Sequence, residues 1–142
     1  MNILKQLPSR LEIVPQFISL VIDSLKKEFP LKEEDIFHVK LALEESLLNA
    51  IKHGNRLNPN LTVFVAVQCQ ANRLTISVKD QGNGFDYNNS PDPTTKEKLM
   101  MTSGRGVFLI RKIMDEVDFR DGGREIVMVK KIGKNKSKDS ES

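Results

Sequence analysis

A single cysteine, Cys69, occurs among the 142 residues, so the chain cannot form an intrachain disulfide. That scarcity fits a reducing compartment, and we expect a cytoplasmic protein. No stretch approaches the ~20 consecutive apolar residues that cross a bilayer, and the opening MNILKQLPSR lacks the apolar segment of a signal peptide. Internal repeats and interdomain linkers are lacking too, so the sequence predicts one domain that has no contact with a membrane.

The chain has only a small excess of positive charge, with a formal net charge of +3. That excess lies from Lys130 onward, where five lysines outnumber Asp139 and Glu141. The rest of the chain is neutral, whereas nucleic-acid-binding domains concentrate positive charge on their folded surface. We therefore expect no direct nucleic-acid binding, and a disordered basic and polar tail over residues 133–142.

Hydrophobic periodicity predicts two helices in the N-terminal half of the chain. Ser9 and Glu12 have the spacing of a capping box, and apolar residues then recur at helical spacing until Phe29. A second helix is predicted over about 33–53, with acidic residues in its first turn and Gly54 placed to end it.

Two hairpins and a third helix are predicted beyond that point. Alternating and β-branched residues indicate strands at 61–70, 73–80, 116–120 and 125–131. The first hairpin turns at Ala71-Asn72 and the second at Asp121-Gly122-Gly123-Arg124. A helix begins near Gly106, and the irregular segment 86–102 before it has the length of a functional lid or of a disordered excursion.

Glu45 and Asn49 form the first cluster that could carry chemistry. They lie one turn apart on the second helix, point the same way and avoid its main apolar stripe. A carboxylate beside an amide can pair a general base with a metal-binding oxygen. Taken alone, the pair is explained more simply as a solvated helix face.

The second cluster is the segment DQGNGF, which follows an alternating strand. Gly82 and Gly84 allow the backbone to turn sharply and to approach a ligand closely. Asp80, fixed at the strand end, can accept a hydrogen bond from an exocyclic amine. Alone, this segment is explained more simply by a glycine-rich turn with a capping aspartate.

The third cluster is the segment SGRGVFLI, which opens a helix. Free amides at a glycine-rich helix start, here around Gly104 and Gly106, can bind a phosphate. The spacing fits neither the dinucleotide fingerprint nor a P-loop. An ordinary helix N-terminus is the simpler explanation of this cluster alone.

The order of the three clusters is more specific than any one of them. The chain has, in this order, a helix with E-x-x-x-N, a strand ending in D-x-G-x-G, a long loop and a helix that starts with G-x-G. This order resembles the N, G1 and G2 boxes of the GHKL ATPase superfamily, which has the Bergerat fold. Within it, the segments NAIKHGN, DQGNGFD and SGRGVFLIRKIMDEV are most similar to the anti-sigma factor serine/threonine kinases. The similarity extends over roughly residues 4–132, although the G1 box lacks a third glycine.

The resemblance implies a role for each matching position. Glu45 matches the presumed general base, Asn49 the ligand of the Mg²⁺ that bridges the ATP phosphates, and Asp80 the residue that reads the adenine amino group. The segment 86–102 matches the ATP lid. The other implied nucleotide-binding residues are Gly82, Gly84, Ser103, Gly104, Arg105 and Gly106. For Arg105, a contact with the phosphates and an orientation into solvent remain equally open.

For the whole chain, the resemblance implies a two-layer α/β sandwich, a mixed and mostly antiparallel sheet with helices on one face. Residues 1–132 would form a GHKL-type ATP-binding and kinase domain, followed by the tail. The implied activity is ATP- and Mg²⁺-dependent phosphorylation, on serine or threonine, of an anti-anti-sigma (STAS-type) partner by a homodimeric anti-sigma factor that also binds a sigma factor. Two alternatives stay open: a nucleotide-gated binding regulator without significant kinase activity, and a stand-alone histidine-kinase-like catalytic domain.

Overall fold

A computed structural model of the chain describes residues 1–82 and 106–132. The predicted lid and tail lie outside these ranges. The strands and α-helices of the described part are β1 Asn2–Pro8, α1 Val14–Glu28, α2 Glu33–Leu48, β2 Thr62–Gln70, β3 Arg73–Lys79, α3 Gly106–Ile113, β4 Glu116–Arg120 and β5 Glu125–Lys131. Within the same ranges, no helix has both the length and the apolar character that a membrane crossing needs.

The strands form one sheet in the order β1-β2-β3-β5-β4, and each of these pairings is antiparallel. The β2–β3 hairpin turns at Ala71 and Asn72, whose φ angles are +51° and +68°. Positive φ at both central residues is the geometry of the two-residue turns that match the twist of a hairpin. Both predicted hairpins are therefore present.

The core lies between one face of the sheet and the helices. Along β2 the side chains of Val63, Val65 and Val67 are buried, whereas Phe64 between them is 40% exposed. α1 and α2 add their own apolar stripes to the same cluster, and full burial of one such side chain stabilises the fold by ~1.5–3 kcal/mol. This arrangement confirms the predicted two-layer α/β fold with helices on one face.

The entry into α1 differs from the predicted capping box. Ser9 Oγ donates a hydrogen bond to the carbonyl of Leu61 (2.7 Å) instead of capping a helix. A short 3₁₀ turn, Leu11–Ile13, leads into α1, and Pro15 falls in the first helical turn, where its missing N–H has no partner to lose.

The end of α2 also differs from the prediction. The α-helix ends at Leu48, and Asn49–Gly54 continues it as a π-helical segment, called the π segment below. Its wider turn is closed by the N–H of Asn55, which donates to the carbonyl of Ala50 (2.8 Å). Single π turns inside helices are frequent at functional sites.

Candidate functional site

Glu45 and Asn49 meet the first residue of α3. A Cβ built on Gly106 would lie 2.8 Å from Glu45 Oε2 and 3.4 Å from Asn49 Nδ2. Any side chain at position 106 would therefore displace the carboxylate. The structure thus brings three of the predicted residues together at a helix N-terminus, where free N–H groups and the helix dipole favour an anion.

The side chain of Asn49 is 2% exposed, and neither of its amide atoms has a hydrogen-bond partner within the described ranges. An unpaired buried polar group costs ~1–3 kcal/mol. Its backbone is held firmly, because its N–H donates to the carbonyls of Glu45 and Ser46 at the end of α2. Within the described part of the chain, Asn49 is thus a buried polar group that is kept at a cost in stability and is available to a ligand.

An amide oxygen of this kind fits Mg²⁺, which prefers hard oxygen ligands. Residues 1–82 and 106–132 contain no group of three histidine, cysteine or acidic side chains that could hold a metal by themselves. Asn49 would therefore be one protein ligand among phosphate and water oxygens, which is the usual way in which Mg²⁺ binds at nucleotide sites. The residues present fit the metal that the sequence resemblance implies.

Glu45 is half-buried beside Asn49. Burial raises the pKa of its carboxyl above 4.5, and the neighbouring Glu44 raises it further, while Lys52 lowers it. A carboxylate with a raised pKa accepts a proton more readily, which suits a general base.

Asp80 directly follows β3 and is 7% exposed. Its Oδ1 accepts a hydrogen bond from the N–H of Gly82 (2.8 Å). Burial raises the pKa of Asp80 from 3.8 to about 6, against the opposing effects of the Gly82 N–H and of Arg124. This carboxyl therefore changes charge close to neutral pH.

Gly54, whose place in the sequence predicts only a helix end, also contacts Asp80 in the structure. A Cβ built on Gly54 would overlap Asp80 Oδ2, and one built on Gly82 would overlap the carbonyl oxygen of Gly54. Gly54, Asp80 and Gly82 therefore form one close-packed group. Many helices end at a glycine. Gly54 differs from those glycines by its contact with Asp80, which is distant in sequence.

Arg124 was also missed, because it belongs to the predicted second hairpin turn. Its Nε donates to the carbonyl of Gly82 (2.8 Å), and its own carbonyl accepts from the N–H of Asp80 (2.9 Å). Asp121 forms ion pairs with Arg124 (3.4 Å) and with Lys79 (2.9 Å). The turn that follows β3 is thus held to the start of β5 by backbone and side-chain contacts.

The two groups of residues are joined by the π segment. Asn49 is its first residue and Gly54 its last, so this segment connects the Glu45–Gly106 end of the site to the Asp80 end. Four predicted site residues, Gly84, Ser103, Gly104 and Arg105, lie outside the described ranges.

Comparisons with known proteins agree with this arrangement. The family profile described as "Histidine kinase-like ATPase domain" matches residues 7–130. Serine-protein kinase RsbW of Staphylococcus aureus strain JH9 is 30% identical over 120 residues, which cover 75% of this chain and 72% of that protein. The RsbW proteins of strains Newman and NCTC 8325 match with the same values.

Proposed function

The chain belongs to the GHKL (histidine kinase-like) ATPase superfamily and to its anti-sigma serine kinase family, and from this premise we propose that it transfers the γ-phosphoryl group of ATP to a serine or threonine hydroxyl of a partner protein. Family membership supports a kinase or an ATPase, and the matched Staphylococcus aureus relatives are named serine-protein kinases. The partner we propose is an anti-anti-sigma protein of the STAS type, which competes with a sigma factor for a cytoplasmic homodimer of this chain.

The observation that carries the proposal is the meeting of Glu45, Asn49 and the start of α3. A partly buried carboxylate with a raised pKa lies beside a buried amide whose polar atoms are unused by the described residues. Both face a glycine that leaves room for them. A base, a metal-binding oxygen and free helix amides are what phosphoryl transfer to a hydroxyl requires.

ATP would bind along the π segment. Asp80 accepts a hydrogen bond from the adenine amino group, and Gly82 leaves the backbone close to the base. At the other end, the amide of Gly106 would face the phosphates, and Asn49 Oδ1 would hold Mg²⁺. The ion, when bound, supplies positive charge that offsets the charge of the phosphates. The nucleotide contacts of Gly84, Ser103, Gly104 and Arg105 remain predictions.

Transfer takes one step in this scheme. The hydroxyl oxygen of the partner forms a bond to the γ-phosphorus, and the bond from that phosphorus to the bridging oxygen of ADP breaks. Glu45 takes the hydroxyl proton, so the products are ADP and a phosphorylated side chain. Positioning supplies much of the rate, and a general base contributes roughly 10²–10⁴-fold.

The test incubates the purified chain with Mg²⁺, [γ-³²P]ATP and candidate anti-anti-sigma proteins. Glu45→Gln should reduce acid-stable labelling of the partner by about 100-fold or more, because the base is lost, while ADP binding persists. Glu44→Gln is the matched control, since Glu44 is the exposed neighbour on the same helix. It should lose little activity, because burial, the larger cause of the raised pKa of Glu45, is unchanged.

Other results would favour the alternatives. Nucleotide binding without labelling of any partner would support the nucleotide-gated binding regulator. Acid-labile label would indicate phosphohistidine and a histidine-kinase-like activity. Full transfer by Glu45→Gln would remove Glu45 from the mechanism.

A further inference from the structure

Asn55, which directly follows the π segment, is 1% exposed, and its side chain bonds to three separate parts of the chain. Nδ2 donates to Ser9 Oγ (2.9 Å) and to the carbonyl of Thr62 (2.9 Å). Oδ1 accepts from the backbone N–H of Gln81 (2.7 Å). Both donor hydrogens and one acceptor position of the amide are therefore used.

The bond to Gln81 fixes the backbone beside Asp80. Among the described residues, the Asp80 carboxylate accepts its hydrogen bond from Gly82 in the same short turn, so its direction depends on how that turn is held. Asn55 holds the turn at Gln81, and Arg124 holds it at Gly82. The Gln81 side chain adds a third attachment, because its Oε1 accepts from the N–H of Thr62 (2.7 Å).

Asn55 also connects the two ends of the site. Its backbone N–H closes the last turn of the π segment by donating to Ala50. Its side chain bonds to the turn that carries Asp80. The residue is thus a direct link, through two hydrogen bonds, between the helix that presents Asn49 and the strand end that presents Asp80.

We propose that Asn55 is a positioning residue for base recognition. It holds the Asp80 carboxylate in the position where it can accept a hydrogen bond from the amino group of adenine. The proposal rests on the proposed function, since it needs a nucleotide in this site. Asn55 acts through the N–H of Gln81 and does not itself touch the base. Replacing Asn55 should therefore reduce the contribution of the amino group to the binding affinity more than the contribution of the rest of the nucleotide.

The experiment compares the affinities of ADP and of purine riboside 5′-diphosphate, which lacks the amino group, by titration calorimetry. In the wild-type chain the ratio of the two affinities measures recognition of the amino group. Asn55→Ala should lower that ratio by about fivefold or more, because a hydrogen bond to a charged acceptor is sensitive to its alignment. Binding of the purine analogue should change little.

Two variants separate positioning from general stability. Asn55→Asp keeps an oxygen that can accept from Gln81 N–H but loses both donors, so it should retain most of the ratio although the fold becomes less stable. Ser9→Ala removes a different partner of Asn55 and leaves the Gln81 bond in place, so the ratio should stay at the wild-type value. If Asn55→Ala does not fold, the smaller truncation Asn55→Ser carries the same comparison.

The possible outcomes separate a failure of the positioning role from a failure of the proposed function. A wild-type chain that binds both nucleotides equally, or neither, would contradict the proposed adenine site. A wild-type chain that prefers ADP, with the same preference in Asn55→Ala, would overturn the positioning role alone. Loss of the preference in Asn55→Asp or in Ser9→Ala would also overturn it, because the Gln81 bond would then not be the determinant.

Discussion

Gly54 leaves open the space that the carboxylate of Asp80 occupies. A Cβ built on Gly54 would overlap Asp80 Oδ2 and would lie 2.8 Å from Asp80 Cβ. The backbone at the end of the π segment therefore packs directly against the side chain that follows β3. This contact places a buried acid beside the helix that carries the other half of the site.

Gly54→Ala should destabilise the fold and weaken ADP binding. The backbone at this position is helical, where alanine normally gains up to ~1 kcal/mol over glycine. Here the new methyl group would push Asp80 aside, so we expect a net loss of ~1–3 kcal/mol in the free energy of unfolding. Urea denaturation measures the loss, and titration calorimetry measures the affinity.

A double-mutant cycle with Asp80→Ala identifies the cause. If the methyl group acts through the carboxylate, Gly54→Ala should cost much less when Asp80 is already shortened. Strictly additive effects of the two substitutions would show that Gly54 is needed for another reason.

Asp80→Asn should stabilise the nucleotide-free chain at pH 7.5. The folded-state pKa of Asp80, about 6, lies above its ordinary 3.8, so folding disfavours the ionised form. Each unit of that difference corresponds to ~1.4 kcal/mol, and we expect a gain of up to ~3 kcal/mol. As the pH falls from about 6 to about 4, the folded wild type binds a proton that the unfolded chain does not. The free energy of unfolding of the wild type therefore rises, and the advantage of Asp80→Asn should shrink. Urea denaturation at several pH values tests this, and a gain independent of pH would contradict it.

ADP binding should have the opposite pH dependence. The charged carboxylate is the acceptor for the amino group, so the affinity of the wild-type chain should fall as the pH drops below about 6. The fall approaches tenfold per pH unit if only the ionised form binds. Asp80→Asn should lose the part of the pH dependence that comes from the carboxylate and keep the part that comes from the terminal phosphate of ADP, which titrates at about pH 6. The same profile in the variant and in the wild type would assign the titration to another group.

Asn49→Leu should stabilise the nucleotide-free chain by ~1 kcal/mol, because it removes a buried amide without hydrogen-bond partners among the described residues. The same change should abolish the increase in ADP affinity that Mg²⁺ produces. Calorimetry with and without Mg²⁺ measures the second effect. Ser46→Ala is the control on the same helix, because Ser46 is buried but bonds to Leu43, and it should keep the Mg²⁺ response.

Ala71→Gly should stabilise the fold by ~1 kcal/mol without changing ADP binding. Ala71 has a φ of +51°, which costs an alanine ~1–2 kcal/mol and a glycine almost nothing. The turn lies at the opposite end of β3 from Asp80, so the site should be unaffected. Thermal unfolding measures the gain in stability, and calorimetry measures the affinity for ADP. A change in that affinity would contradict the expectation that the turn and the site are independent.

Local sequence patterns were sufficient for most of the fold. The alternation of Leu74, Ile76 and Val78 predicted β3, since strand side chains alternate between the core and the solvent. The turn chemistry around Ala71-Asn72 and at Asp121–Arg124 predicted the hairpins. These elements are determined by neighbours in sequence, which is why a single sequence is enough to predict them.

Positions whose partners are distant in sequence were not predictable in this way. Ser9 has the spacing of a helix cap, but Leu61 and Asn55 offer it partners inside the fold. Gly54 has the pattern of a helix end, and its contact with Asp80 depends on the π turn. The spacing of Glu45 and Asn49 did indicate that they point the same way, and the structure adds that Gly106 faces both; their catalytic and metal-binding roles remain predictions.

The π segment is the part of this helix that can lose one residue and still keep its register. A π turn contains one residue more than the α-helical turn that it replaces, and the two turns rotate the chain by nearly the same angle. Deleting one residue between Asn49 and Gly54 would therefore leave Gly54 close to its present orientation, whereas a deletion inside α2 would rotate every later residue of the helix by ~100°. Relatives that differ in length here should differ by one residue within the π segment and not within α2.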